Sequence, residues 1–173
     1  MNAAEVLIKR IEEGIRSKQT FLIAVDGRCA SGKTTIANSI VRETGAAVVH
    51  MDDFFLQPFQ RTEKRLNTPG GNVDWERFKS EVLLPLSRGE NARFCPFDCH
   101  SLSFKDTVSV NGNKGVVVEG SYSCHPELWD LYDLHIFLDV DKMTQLQRIE
   151  ARNGAEGLSL FKEKWIPLEE EYF

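Results

Sequence analysis

A chain of 173 residues, 42% hydrophobic and 27% charged, is long enough for one domain with a full core and lacks the compositional bias of disordered, collagenous or coiled-coil proteins. Its net charge of −5 argues against a general electrostatic grip on nucleic acid or an anionic membrane, while local clusters of Arg and Lys could still hold a small anion. No apolar run approaches the roughly 18 residues that span a bilayer, and the mixed charges of "MNAAEVLIKRIEEGIRSK" are unlike a secretory signal, so the expected address is the cytoplasm.

In chain order, Ala4, Leu7, Ile8, Ile11 and Ile15 keep the spacing of an amphipathic helix over residues 4 to 16. "TFLIAVDG" follows as a short apolar run closed by Gly27, which predicts a strand buried on both faces. A helix is expected from near Gly32 to before Gly45, with "AAVVHMD" as the second strand. "LNTPGGNVDW" at 66 to 75 is rich in turn residues, and Asp74 is placed to cap the helix "WERFKSEVLLPLSRG", which stops around Gly89. "ARFCPFD" and "DTVSVNG" then alternate as two strands of a small antiparallel hairpin.

"KGVVVEGSY" at 114 to 122 and "DLHIFLDVD" at 133 to 141 read as two further strands joined by a short helical candidate, "PELWDLY". The remainder predicts a helix, a glycine-bearing break at 154 to 157 and a second helix. Strands alternating with helices imply parallel pairing. The expectation is one α/β domain over residues 1 to 173, with three layers, a central parallel sheet flanked by helices, and an antiparallel hairpin insertion at about 56 to 113. Cys29, Cys95, Cys99 and Cys124 are expected as ordinary thiols, since "CPFDCH" only loosely approximates zinc-ligand spacing.

The chemistry concentrates in "GRCASGKT" at 27 to 34, which matches G-x-x-x-x-G-K-[ST] between a buried strand and a helix. In such a loop backbone amides curl round a phosphate, the helix N-terminus adds partial positive charge, and the lysine reaches the β and γ phosphates. Gly27, Ala30, Ser31, Gly32, Lys33, Thr34 and Thr35 are therefore the expected nucleotide contacts, with Thr34 able to bind Mg²⁺. Ligands of an open parallel sheet gather outside the carboxyl ends of its strands, where Asp52, Glu119 and Asp139 to Asp141 should lie. Phosphoryl transfer to a hydroxyl needs one carboxylate for the proton and another to serve the metal. Asp52 and Glu119 fit those two needs, Asp52 also being a candidate at the metal, while Asp53 is left to cap the next turn or meet solvent. Arg148 and Arg152 lie four apart on one helical face, suited to meeting phosphates.

"VDGRCASGKTT", "HMDDFF", "PGGNVDWERF", "PFD" and "VVVEGSY…DLYDLHIFLDVD…QRIEAR" together resemble the uridine kinase family of P-loop nucleoside kinases over residues 20 to 153. The resemblance implies a P-loop NTPase fold with a five-stranded parallel sheet, ATP and Mg²⁺ as cofactors, an arginine-bearing lid at about 142 to 157, and transfer of the γ-phosphate to a sugar hydroxyl. It further implies Asp52 as the catalytic aspartate, Glu119 as the strand-end glutamate, Lys33, Arg148 and Arg152 at the phosphates, and Asp74 as a sugar-binding residue. Where the family has a base-holding tyrosine and histidine, this chain offers Phe97 and His100. The implied partner is a small nucleoside-like acceptor rather than nucleic acid or membrane, and the sequence is compatible with a homo-oligomer. A pantothenate-like or sugar-phosphate acceptor, a nucleotide switch, and a nucleotide-binding homologue without catalysis all stay open at this point.

Overall fold

The computed structural model describes residues 3–113 and 115–173. Met1, Asn2 and Lys114, the last of which opens the run expected as a strand at 114 to 122, lie outside the described residues. The chain begins with helix α1 (Ala3–Ser17), strand β1 (Leu22–Gly27), helix α2 (Lys33–Thr44) and strand β2 (Ala47–His50), followed by a 3₁₀ turn at Met51–Phe54. The short helix α3 (Glu63–Leu66) precedes a longer helical stretch, α4 (Trp75–Phe78), a π turn (Lys79–Leu83) and α5 (Leu84–Ser87). Four short strands come next: β3 (Ala92–Phe94), β4 (Phe97–Asp98), β5 (Ser103–Phe104) and β6 (Val108–Val110). The chain returns to the main sheet in β7 (Val116–Glu119) and β8 (Leu134–Leu138) and ends in α6 (Lys142–Leu160), a π turn (Phe161–Trp165) and α7 (Ile166–Tyr172).

The main sheet is parallel, in the order β2-β7-β1-β8. It has four strands among the described residues, one fewer than the resemblance implies. Successive residues of its central strands point to opposite faces, and both faces are covered. Ile23, Val25 and Val117 pack with Ile11 of α1 and Ala37 and Ile40 of α2. Leu22, Ala24, Val49, Val116 and Val118 pack on the other side with Phe78, Val82, Leu83 and Leu86 of the 75–87 helical stretch. This gives the three layers expected of an α/β chain whose strands are continuously apolar. Phe78 is fully buried, and truncating it to Ala would cost about 3–5 kcal/mol.

Departures from the expected elements have local causes. The two π turns each end two residues before a proline, Pro85 and Pro167. A proline inside a helix lacks the N–H and crowds the carbonyl four residues back, so the helix widens by one residue to admit it. The expected hairpin is split, β3 pairing with β6 and β4 with β5, both antiparallel. Pro96, which has no N–H to give, lies between β3 and β4. "PELWDLY" forms only a 3₁₀ turn at Trp129–Leu131, too short a stretch to propagate an α-helix. The expected break at 154 to 157 is Gly154, whose φ of 70° and ψ of −179° interrupt α6.

Candidate active site

The loop from Gly27 to Thr34 gains its shape from tight contacts beneath it and open space above it. Gly27 has φ +137°, and a Cβ there would fall 2.0 Å from the Leu138 carbonyl oxygen of β8, so only glycine lets the loop leave the sheet at this point. Arg28 N then donates to that same carbonyl at 3.1 Å. Ala30 and Gly32 both have positive φ, at 61° and 98°, and among the described residues nothing beyond its chain neighbours lies within 4 Å of a Cβ built on Gly32. The concave side is therefore open to a ligand. Lys33 is buried, and its Nζ donates to the Gly27 and Arg28 carbonyls at 2.8 Å each, which strings a positive charge across the loop. Among the described residues, the buried Ser31 hydroxyl has no hydrogen-bond partner, a donor that a phosphate oxygen would satisfy. An anion fits this loop on sterics and on charge alike.

Acidic groups face the loop because of the strand register. Glu119 of β7 stands beside His50 of β2 and Val25 of β1. One carboxylate oxygen of Glu119 accepts from Thr34 Oγ1 at 3.2 Å, and the other lies 2.6 Å from His50 Nδ1. The hydrogen bond to Glu119, and then its charge, hold the His50 pKa above the ordinary imidazole value against the opposing effect of burial. Beyond β2, buried Met51 and Phe54 anchor the 3₁₀ turn and leave Asp52 open to the cleft. Partial desolvation by the cleft walls, followed by repulsion from Glu119, raises the Asp52 pKa. Asp53 is half-buried and does not line the cleft; its backbone carbonyl accepts from Arg77.

The third wall comes from the C-terminal helices. Arg148 donates to the Ala30 carbonyl at 3.0 Å, and Arg152 reaches Cys29 Sγ at 3.3 Å. Both arginines line the same cleft of about 1060 Å³ as Lys33, Thr34, Asp52 and Glu119. Helix α7 leans on the loop through two buried acids. Glu169 accepts from Cys29 N at 2.9 Å, and Asp26, at the end of β1, accepts from Gly27 N, Tyr122 N, Cys124 N and Tyr172 Oη at 2.7, 3.1, 2.9 and 2.8 Å. Burial outweighs the donors from Cys124, Gly27 and Tyr172 and the charge of Lys33, and leaves the Asp26 pKa raised. Arg28, paired with Asp139 and Glu170, secures the outer edge, while Asp141 caps α6 through Thr144 N.

Asp74, Phe97 and His100, the three acceptor candidates, do not line the cleft. Asp74 is buried; one oxygen caps α4 through Arg77 N at 3.0 Å, and the other accepts from Gln60 Nε2 at 2.8 Å. Phe97 is buried against Phe104 with ring centroids 5.3 Å apart. His100 is exposed in the hairpin turn, where its N–H donates to Asp98. Sequence reasoning passed over His50, Asp26, Arg61 and Glu169. His50 could have been found from its place at the end of a strand beside "DD"; Asp26 and Glu169 depend on contacts across 96 to 146 residues of chain, for which no local pattern exists.

A hard cation suits the donor set, since Thr34 and Glu119 offer oxygen ligands and Mg²⁺ relies on one or two carboxylates together with substrate phosphates. Among the described residues no three His, Cys, Asp or Glu side chains converge on an ion by themselves. Nor is any helix among them long and apolar enough to cross a membrane.

No family model matches the chain. Over 151 residues, 80% of its length, it is 31% identical to uridine kinase-like protein 5 of Arabidopsis thaliana. Over 158 residues, 83% of its length, it is 31% identical to uridine-cytidine kinase B of Dictyostelium discoideum. The chain is a relative of the uridine kinases. This uridine kinase-like chain spans 32% and 63% of the length of those two relatives. Its fold is the P-loop NTPase fold: a possible uridine kinase from Bacillus stearothermophilus superposes with a TM-score of 0.67 at 21% identity, covering 90% of each chain.

Proposed function

We propose that this uridine kinase-like chain transfers the γ-phosphate of ATP to a hydroxyl of a small acceptor of the nucleoside or sugar class. The observation that carries the reading is the convergence of Lys33, Thr34, Asp52, Glu119, Arg148 and Arg152 on one cleft, with Thr34 and Glu119 already in contact. Phosphoryl transfer needs positioning and charge neutralisation more than covalent chemistry from the protein. In this scheme the loop amides, the Ser31 hydroxyl and Lys33 bind the triphosphate. Arg148 and Arg152 neutralise charge that develops on the transferred group. Asp52, open to the cleft and raised in pKa, takes the proton of the acceptor hydroxyl. Mg²⁺, when bound with the nucleotide, would lie at Thr34 and Glu119 and offset the charge of the phosphates; His50 orients Glu119 for that role.

The test is a screen of hydroxyl acceptors with ATP and Mg²⁺, read by mass spectrometry of a phosphorylated product. Product formed by the wild-type protein and lost in Asp52→Asn supports the reading. ATP binding without product from any acceptor counts against it.

A further inference from the structure

The cations of the cleft fall into two groups. Lys33, Arg148, Arg152 and Lys164 belong to the phosphate loop and the C-terminal helices, where the donor nucleotide is proposed to bind. Arg61 belongs to the opposite wall, built by Asp52, Phe55, Leu56, Leu66, Asn72 and Val73. Its neighbours in sequence are committed elsewhere: Arg65 grips both oxygens of Glu76 at 2.7 and 2.6 Å, and Arg77 lies over the Phe54 ring at 4.4 Å and donates to the Asp53 and Cys95 carbonyls. Among the described residues, the Arg61 guanidinium has one protein partner, the Leu56 carbonyl, at 2.9 Å from Nε. Both terminal nitrogens are left for a ligand, and no carboxylate neutralises the charge.

This arginine is also held in place. Its own N–H donates to the Pro58 carbonyl at 3.2 Å, closing the turn in which Gln60 N donates to the Gln57 carbonyl at 2.9 Å. Gln57 N donates back to Gln60 Oε1 at 2.9 Å, and Gln60 Nε2 donates to buried Asp74 at 2.8 Å. A line of hydrogen bonds thus runs from the N-cap carboxylate of α4 to the turn that presents Arg61. The groups that could have read a nucleobase, Phe97 and His100, lie outside the cleft. Fixing a guanidinium whose fork matches carboxylate and phosphate geometry at this wall favours an anionic ligand.

We infer that the acceptor carries an anionic group, a phosphate or a carboxylate, in addition to its reactive hydroxyl, and that Arg61 is the specificity-determining residue that binds it. The inference rests on the kinase reading for the role of the opposite wall, but binding tests it separately.

The experiment uses matched probe pairs: ribose and ribose 5-phosphate for the phosphate source, glycerol and glycerate for the carboxylate source, and uridine as the neutral nucleoside. Calorimetry on protein loaded with a non-hydrolysable ATP analogue and Mg²⁺ gives affinity, and γ-phosphate transfer from ATP is measured in parallel. The expected result is that the anionic member of at least one pair binds about 10- to 100-fold more tightly than its neutral partner, the range of one charge-assisted contact. Arg61→Gln should erase that preference while leaving analogue affinity within about twofold, and Arg61→Lys should restore part of it. Equal or tighter binding of the neutral members, no binding by any probe, or a preference that survives Arg61→Gln overturns the inference. Anion-selective binding that depends on Arg61 but is followed by no transfer would keep Arg61 as the anion-binding residue of the cleft and count against the kinase reading instead.

Discussion

The imidazole of His50 and the carboxylate of Glu119 meet at 2.6 Å because the parallel register of β2 and β7 puts the two residues side by side at the rim of the sheet. The pair draws a proton onto His50, whose folded pKa lies above the usual 6.5. A group whose pKa rises on folding stabilises the fold fully below its unfolded pKa and loses that contribution as pH rises through the folded value. In ligand-free protein, the stability gap between wild type and His50→Gln should therefore be largest below about pH 6.5 and shrink at higher pH. Urea midpoints measured across pH 5.5 to 8.5 check this, and a gap independent of pH would remove the ion pair as its source.

Asp52→Asn keeps size and loses the base. Turnover should fall about 10²- to 10⁴-fold, the usual yield of one general base, with ATP affinity retained. Because the Asp52 pKa is raised, the acid limb of the wild-type pH–rate profile should lie above the ordinary carboxylate value. Full turnover in the variant would take Asp52 out of the mechanism.

Lys33→Ala removes the charge strung across the loop. A loss of roughly 10²- to 10³-fold in kcat/KM for ATP is expected, as for deletion of one preorganised electrostatic contact. Unchanged ATP-dependent turnover would contradict the role given to the loop.

Asp74 allows the resemblance and the geometry to be compared directly. Its carboxylate is occupied by the α4 N-cap and by Gln60, so Asp74→Ala should cost about 1–2 kcal/mol in chemical denaturation. Asp74→Asn, which keeps a capping oxygen, should cost less. An Asp74→Ala protein of wild-type stability that has lost only acceptor binding would point to direct contact with substrate.

The loop at 27 to 34 and the alternation of strands and helices were legible in sequence because each is written in a few adjacent residues, whereas the preference for Asp52 over Asp53 drew on the strand end and the family resemblance, and of the two Asp52 lines the cleft. Gly27, Lys33 and Thr34 announce a phosphate-loop motif by spacing, and continuous apolar runs announce a sheet buried on both faces. The acceptor end was harder to read. Asp74 stands where the family resemblance implies a sugar contact, yet capping and the bond to Gln60 are satisfied by the same carboxylate, and sequence cannot rank such uses. The π turns before Pro85 and Pro167 follow from a backbone adjustment that leaves the apolar pattern intact. Arg61 looked like one arginine among several in "QRTEKRL"; its distinction lies in the carboxylate it lacks, which only the packed chain reveals.

Tyr172→Phe tests the seam between α7 and the loop. Removing the 2.8 Å bond from Tyr172 Oη to Asp26 should lower stability by about 1–2 kcal/mol, read as an earlier urea midpoint with an unchanged slope. A wild-type midpoint would show that the backbone donors alone hold Asp26.

Because the Asp26 carboxylate receives hydrogen bonds from the start of the phosphate loop, from the turn after β7 and from the last helix, none of these segments can detach without stripping a buried acid of its partners. In amide hydrogen exchange, Gly27, Tyr122 and Cys124 should therefore open together as one cooperative unit. Helix α7 would then be as slow to fray as the loop it supports.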